Sequence, residues 1–588
     1  MSGLPSGSTR ILHLAAVAVA VALLYGVGLS SSPIHLHYDE VYFAEQARSI
    51  AQTGRDVNGR LLPVYFQMDN VIWFHPLGVY LPSLAFQFLP VSIAALRLPS
   101  AVIGVGDVVL IYFLARRVLG YHWLSLLAAA LLGIAPAHFI HSRLALDYLF
   151  PTPFVLGWAI LLLRYFDARS LLTLFAAASI LGIGIYSYIA AVALVPMFLL
   201  VTFAMLWREQ APGRAHAAAI AGFCWPLIPA LLFLSAHPAV FGSTVGRYGF
   251  AGDGLDAFQQ LKETFTPWTI SDRLNLYMSF FAPGYLFFTG SSGLTESTRT
   301  AGIFLAPTLP LVLLGIRAVV LRYSPAAVIV LAGFLLPPIA ASIVDESFAG
   351  GRAMTMVPFG ILLACWGVGV LIVAKPLRGL PSIIGVAGAA LLAIGLAYLL
   401  YRLRTSELSR GAVVLMMSGT FVVAVAFVVQ RQQRLTAIAA ALVVACLVHF
   451  AAFAQDYFGE YRARSAPSFN GNIRDAVRRA VADLDGRSDH PPVYLSSAIP
   501  RIDWYWRFHV AELERMDLAT RARPVSDAEL QILELAPGTL FLCVAVDDHA
   551  RSVAEARGMT VVAAITDPNV ESETGPGEHP VYLLFRRP

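Results

Sequence analysis

The run ILHLAAVAVAVALLYGVGL, residues 11–29, passes directly into SSSPIHLHYDEVYFAEQ, residues 30–46. The first stretch holds no Asp, Glu, Lys or Arg. A membrane-spanning helix needs about 20 apolar residues, so this run is long enough to cross a bilayer. The second stretch places two carboxylates, Asp39 and Glu40, where the chain leaves that helix. A spanning helix followed at once by an acidic pair raises two questions: how often the apolar run recurs, and what the acids do at a membrane edge.

Apolar runs of similar length recur near 98–115, 121–138, 148–164, 171–186, 188–206, 214–234, 302–321, 325–344, 353–374, 381–401, 411–430 and 435–454. With the first, they predict a polytopic α-helical membrane protein of about thirteen spans. Composition agrees. Of 588 residues, 57% are hydrophobic and 13% charged, with a mean hydropathy of +0.68. Soluble domains carry about 25% charged residues. The net charge of +4 is small, and its cations sit at the ends of apolar runs, which is a topology pattern and argues against a nucleic-acid partner. Cys224, Cys365 and Cys446 lie in apolar runs and Cys543 stands alone in the polar tail, so no disulfide framework or Cys/His metal spacing is present. Arg10 before the first run resembles a signal peptide, but the run is long and no A-x-A cleavage site follows, so it reads as a retained helix.

The basic residues orient the chain. Arg116 and Arg117, Arg164 and Arg169, Arg208 and Arg214, Arg317 and Arg322, Lys375 and Arg378, and Arg431 and Arg434 fall in short loops on the side of the N-terminus, predicted to be cytoplasmic. Arg402, Arg404 and Arg410 fall on the wrong side. The expected protein is an integral protein of the cytoplasmic (inner) membrane, with three extracytoplasmic polar segments: 31–97, 236–300 and 456–588. The last contains the amphipathic IRDAVRRAVADLD and the short β-like runs VYLSS, LFLCVAV, TVVAAI and VYLLF. That alternation predicts a small α/β domain after a transmembrane catalytic region, 1–455.

The first polar loop is the informative one. Behind Asp39 and Glu40, Ala44, Ala47 and Ile50 recur at helical spacing, with Glu45, Arg48 and Gln52 off that stripe. This predicts a helix lying in the membrane interface. Further on come Trp73, His75-Pro76 and Tyr80, then an apolar stretch, 77–96, read as interfacial or re-entrant. An Asp-Glu pair also suits any helix N-terminus, and Glu45, Arg48 and Arg97 also suit simple pairing or lipid headgroups.

A second acidic position, Asp147, interrupts an apolar region in HFIHSRLALDYLFPTPF. A carboxylate there is costly unless it faces a cavity or a partner. Arg143, four residues earlier, would share a helix face with it. Arg352, after DESFAGG with its Asp345 and Glu346, stands at a helix mouth and could hold a phosphate. Tyr186 and Tyr188 suit an aromatic belt. These groups fall on one predicted side. Together they suit a reaction in which a carboxylate deprotonates an acceptor hydroxyl while cations stabilise a departing lipid phosphate. No Walker A or HExxH sequence occurs. Asp483-Leu484-Asp485 matches D-x-D only superficially, because it ends a helix, and Asp547-Asp548 reads as a solvated turn.

Tyr38-Asp39-Glu40 with Tyr42, Ala44 and Arg48, then His75-Pro76-Leu77 with Tyr80, Arg97, and Ser142-Arg143 with Asp147, resemble the GT-C membrane glycosyltransferases of the protein O-mannosyltransferase and aminoarabinose (lipid A) transferase kind. The resemblance implies a polyprenyl-phosphate-linked sugar donor. It implies inverting transfer to a protein hydroxyl, a lipid or a glycan. It makes Asp39 the principal catalytic carboxylate with Glu40 beside it, and puts Asp147 and Arg143 in the same cavity, Arg143 toward the donor phosphate. Tyr42, Arg48, His75, Arg97, Tyr188 and Arg352 are the other expected substrate contacts. No cofactor is implied, although a divalent cation could bridge carboxylates and phosphate. Two departures stand out. A Lys-Pro of the aminoarabinose enzymes is His75-Pro76 here, and a Lys after their fifth helix is Tyr-Ser-Tyr, 186–188. The alternative reading, a multi-pass transporter or flippase, predicts inverted repeats and a midplane charge, neither of which is evident. A membrane scaffold whose tail binds a partner leaves the acidic loop unexplained.

Overall fold

The computed structural model describes residues 7–68, 72–240, 266–321, 324–343, 350–373, 419, 431–485, 491–567, 571–572, 575–576 and 580–588. The expected spans at 381–401 and 411–430, and Arg322, Asp345, Glu346, Lys375, Arg378, Arg402, Arg404 and Arg410, lie outside these residues. The chain is a polytopic helical membrane protein with a C-terminal sheet domain. Among the described residues six helical stretches are long and apolar enough to cross a membrane: Gly7–Gly26, Ile93–Val118, Asp147–Ala168, Ile189–Arg208, Gly213–Ala236 and Leu435–Phe458.

Several expected spans are broken helices, and proline is the recurring cause, because it lacks an N–H and clashes with the preceding turn. The run 121–138 divides into His122–Gly133 and Pro136–His141, with Pro136 opening the second piece. The run 325–344 divides at Pro337 into Pro325–Leu335 and Pro337–Ala341. Pro226 sits in a 3-10 turn between Gly213–Cys224 and Ile228–Ala236. Helices Leu309–Leu321 and Met356–Val373 pack closely enough that a Cβ on Gly315 would strike the Leu363 carbonyl. Such close approach is how helices associate where no hydrophobic force acts between them.

The first loop departs from expectation. Helix Tyr38–Thr53 does not turn a stripe toward lipid. Val41, Tyr42, Phe43, Ala44, Glu45, Gln46, Ala47 and Ile50 are all buried, because helix Leu77–Phe88 covers one side and helix Ile502–Glu512 of the C-terminal domain the other. The stretch 77–96 holds the helix Leu77–Phe88, with Pro82 inside it, and the start of Ile93–Val118, capped by Ser92.

In the C-terminal domain the four anticipated strands form, as Val493–Ser496, Leu540–Val544, Thr560–Thr566 and Pro580–Arg586. A fifth, Ala522–Val525, joins at one edge, next to Val493–Ser496. Sheet order, by first residue, is 522-493-540-580-560, parallel among the first three and antiparallel on both sides of 580–586. One hydrophobic cluster combines Val477, Trp506 and Leu542 of this domain with Leu36, Val41, Ala44, Leu96 and Ala145 of the membrane part. The domain therefore shares its core with the first loop. His35 Nε2 to Asp567 Oδ2 (2.7 Å), Tyr505 Oη donating to the Leu36 carbonyl (2.7 Å) and Tyr461 Oη donating to the Leu294 carbonyl (2.6 Å) tie the same seam.

Candidate active site

The two neighbouring acids of the first loop have opposite surroundings. Arg97, four residues into helix Ile93–Val118, reaches back to Glu40 through a bidentate pair, Nε–Oε1 2.8 Å and Nη2–Oε2 2.9 Å. The same guanidinium donates to the carbonyls of Leu29, Pro33 and His35 at 2.7–2.9 Å. Glu40 also accepts from the amides of Ala145 (2.8 Å) and His37 (3.0 Å). Both side chains are 0% exposed. Burial alone would raise the Glu40 pKa, but Arg97 and these amides outweigh it and hold the carboxyl below its usual range. Glu40 and Arg97 thus form a buried brace within the loop, closed to solvent on both sides. Asp39 keeps 21% of its side chain exposed, 3.7 Å from His37 Nδ1.

Arg143 is also engaged elsewhere. It lies in the irregular stretch after helix Pro136–His141, so it shares no helix face with Asp147. Its guanidinium donates to the carbonyls of Leu24, Tyr25, Gly28 and Ser32 at 2.7–3.3 Å. It also lies over the rings of Phe139, Tyr457 and Phe458, at 5.0–5.5 Å. A helix end leaves its last carbonyls without partners and carries partial negative charge. Arg143 caps the first helix in this way and is fully buried, so the expected phosphate contact does not follow from its placement. Tyr42 and Arg48 are also packed against protein groups. Tyr42 is sandwiched by Phe74 (4.5 Å) and Trp504 (5.1 Å), and Arg48 forks onto Glu45 at 2.8 and 3.2 Å.

Asp147 opens a 3-10 turn, Asp147–Leu149, at the mouth of the helix that follows. Asp39 is its charged neighbour, and both act electrostatically on Tyr148, together with Tyr188 and Glu296. The Tyr148 ring meets Tyr188 at 5.3 Å and His141 at 5.5 Å, both edge-on. The turn Gly350–Ala353, which carries the partly exposed Arg352, rests on the same ring. Glu296 and Ser291 hold that turn: Gly350 N donates to Ser291 Oγ (3.1 Å), Gly351 N to Glu296 Oε2 (3.2 Å), and Ser291 Oγ to Glu296 Oε2 (2.9 Å). The structure thus brings Asp39, Asp147, Tyr148, Tyr188 and the Arg352 turn to one place. Sequence reasoning missed Tyr148, His141, Ser291 and Glu296. Tyr148 stood next to Asp147 and could have been found; Glu296, in a Gly- and Ser-rich stretch, gave no signal of its partner turn.

A Cβ on Gly351 would run into the half-buried Tyr148 ring, which would have to shift to make room. Gly351→Ala should lower stability by about 1–3 kcal/mol and impair the site with it. A thermal midpoint in detergent equal to wild type would show that the turn does not press on Tyr148.

His75 joins this region through aromatic contacts. It meets Tyr65 edge-on at 5.4 Å, and Tyr65 lies 6.1 Å from Tyr186, two residues from Tyr188. Its Nε2 is buried without a hydrogen-bond partner. Burial pushes its pKa down to about 3. It is a neutral imidazole near pH 7, so the expected titratable cation is not one. An unfolded histidine takes a proton below about pH 6.5, whereas the folded one resists until about 3. Stability from this residue is present above 6.5 and is lost as pH falls through that window. His75→Gln should make the thermal midpoint fall less steeply between those pH values, and an unchanged slope would contradict the burial of His75.

Elsewhere, Asp483 accepts from Arg586 (3.0 Å), Asp485 pairs with Arg515, and Asp547 caps helix Asp548–Ala556 through Ala550 N (3.0 Å). Among the described residues no group of three or more His, Cys, Asp or Glu is placed to hold a metal ion.

Residues 75–232 match the family model described as dolichyl-phosphate-mannose-protein mannosyltransferase. No curated protein matches the sequence. Among solved structures, ArnT from Cupriavidus metallidurans bound to undecaprenyl phosphate aligns with a TM-score of 0.59 at 15% identity, covering 98% of each chain. The same protein in its apo state aligns with a TM-score of 0.57, again at 15% identity over 98% of each chain. The S. cerevisiae Pmt1-Pmt2 complex aligns over 43% of this chain and 36% of that one, at 21% identity and a TM-score of 0.30, too low to bear on the fold. The family match over residues 75–232 and the fold shared with ArnT over nearly the whole chain support the resemblance seen in the sequence, to the GT-C membrane glycosyltransferases of the O-mannosyltransferase and ArnT-like family.

Proposed function

We propose that this protein transfers a sugar from a polyprenyl-phosphate-linked donor to an acceptor hydroxyl on a protein, lipid or glycan, at the outer face of the cytoplasmic membrane. The observation that carries this reading is the convergence of a partly exposed Asp39 with Asp147, Tyr148 and the Arg352 turn at one end of an ArnT-like fold. Asp39 acts as general base. The acceptor oxygen attacks the anomeric carbon, its proton passes to the Asp39 carboxylate, and the bond from that carbon to the phosphate oxygen breaks on the opposite face, so the configuration inverts. The leaving phosphate gathers negative charge, which Arg352 stabilises. Arg143 is not needed for that step. His75, neutral and with an unpartnered nitrogen, offers one hydrogen bond to a sugar or acceptor hydroxyl, while Tyr188 and Tyr148 shape the pocket wall. The polyprenyl tail stays among the membrane helices.

The test is sugar transfer by the purified protein from radiolabelled undecaprenyl-phosphate sugars to a cell-envelope extract. Label in an acceptor supports the reading and its product identifies the acceptor. No transfer from several such donors by folded protein defeats it and favours a flux assay for transport.

A further inference from the structure

The C-terminal domain carries a groove that adjoins its seam with the membrane part at one end, where Asn472 Nδ2 donates to the Thr566 carbonyl (3.0 Å) and Asp567 meets His35. Its volume is about 630 Å³, within the ~300–1,000 Å³ of ligand clefts. One wall is the outward face of helix Ile473–Asp485, with Asp475, Arg478 and Arg479. The other is strand Thr560–Thr566 along residues 562–566. That strand is last in the sheet order, so its outer backbone groups have no strand partner among the described residues. Small side chains, Ala482, Ala563 and Ala564, line the space between the walls.

An unpaired strand edge presents N–H and C=O groups that another extended chain can satisfy. Proteins often blunt such edges with bulges, and here register shifts fall between Val561 and Ala563 and between Ile565 and Thr566. Ala563–Ile565 remains in regular register, so any added ladder is short and side chains must supply the rest of the affinity. The helix overhanging the edge does so with two exposed arginines. Arg478 has a long contact to Asp475 (3.5 Å), while Arg474 is turned to Glu512 (2.6 Å) and does not line the groove. The wall therefore carries two cations against one carboxylate. Successive side chains of an added strand alternate in direction, so every second residue would face the arginines.

We infer that this groove binds an extended, acidic polypeptide segment as an added strand along Thr560–Thr566, with carboxylates at alternate positions facing Arg478 and Arg479. The inference does not depend on the reading of the active site. It is tested on the full-length protein in detergent by fluorescence polarisation with a labelled dodecapeptide alternating Val and Glu. The same peptide with Lys for Glu, and an N-methylated version of the Glu peptide, are the controls. Arg478→Glu/Arg479→Glu is the variant, its fold checked by thermal midpoint. The expected result is saturable binding of the Glu peptide, about tenfold weaker binding of the Lys and N-methylated peptides, and reversed charge preference in the variant. Undiminished binding of the N-methylated peptide would reduce the site to a charged patch and overturn the added strand. Equal affinity for the Glu and Lys peptides, or no saturable binding of either, would overturn the whole proposal.

Discussion

Asp39→Asn should stop sugar transfer and leave the protein folded. The side chain is partly exposed, within electrostatic reach of Asp147 and not a member of the Glu40–Arg97 pair, so an amide of the same shape removes no ion pair of the brace. It removes the group that takes the acceptor proton. A positioned general base contributes about 10²–10⁴-fold, and turnover should fall by that amount with little change in thermal midpoint. Asp147→Asn should lower activity too, because the two acids share one electrostatic environment. Turnover of Asp39→Asn within threefold of wild type would remove Asp39 from the chemistry.

Glu40→Gln should do the reverse and cost stability first. Glu40 is surrounded by the Arg97 fork and two amides in a site closed to water. Removing one partner of a buried ion pair costs about 3–5 kcal/mol, because the remaining charge loses its compensation. Native proteins hold only about 5–15 kcal/mol in total. The folded yield and thermal midpoint should fall sharply, and activity should track the folded fraction. A Glu40→Gln protein with a normal midpoint but no turnover would return Glu40 to the catalytic group. The pair of experiments thus separates two adjacent carboxylates by which property each one loses.

The membrane class and the C-terminal strands were legible because they depend on local pattern. Apolar length marks a span wherever the helix ends up, and alternation marked the strands at 493, 540, 560 and 580. Strand Ala522–Val525 was hidden because it is a short edge strand, ARPV, with Arg523 and Pro524 in place of an apolar run. Proline breaks such as those at Pro136 and Pro337 were merged into single spans, since hydropathy does not register a lost hydrogen bond. For the site, residue type pointed correctly to a place but not to a role. Asp39 and Asp147 lie within electrostatic reach of one another. Arg97 and Arg143 are the strongest cations in the resemblance, and both are used up on carbonyls that the sequence gives no means of locating. The burial of Tyr38–Thr53 was hidden for a similar reason: one of its two covering helices, Ile502–Glu512, lies more than 400 residues later in the chain.

That separation bears on when the protein becomes active during its manufacture. His35 meets its partner Asp567 across 532 positions, and the core beside Asp39 is completed by residues of the C-terminal domain. Contacts this distant form late, because the chain must close a long loop before gaining anything from them. A nascent or truncated chain would insert its helices yet hold the segment around Asp39 without its cover.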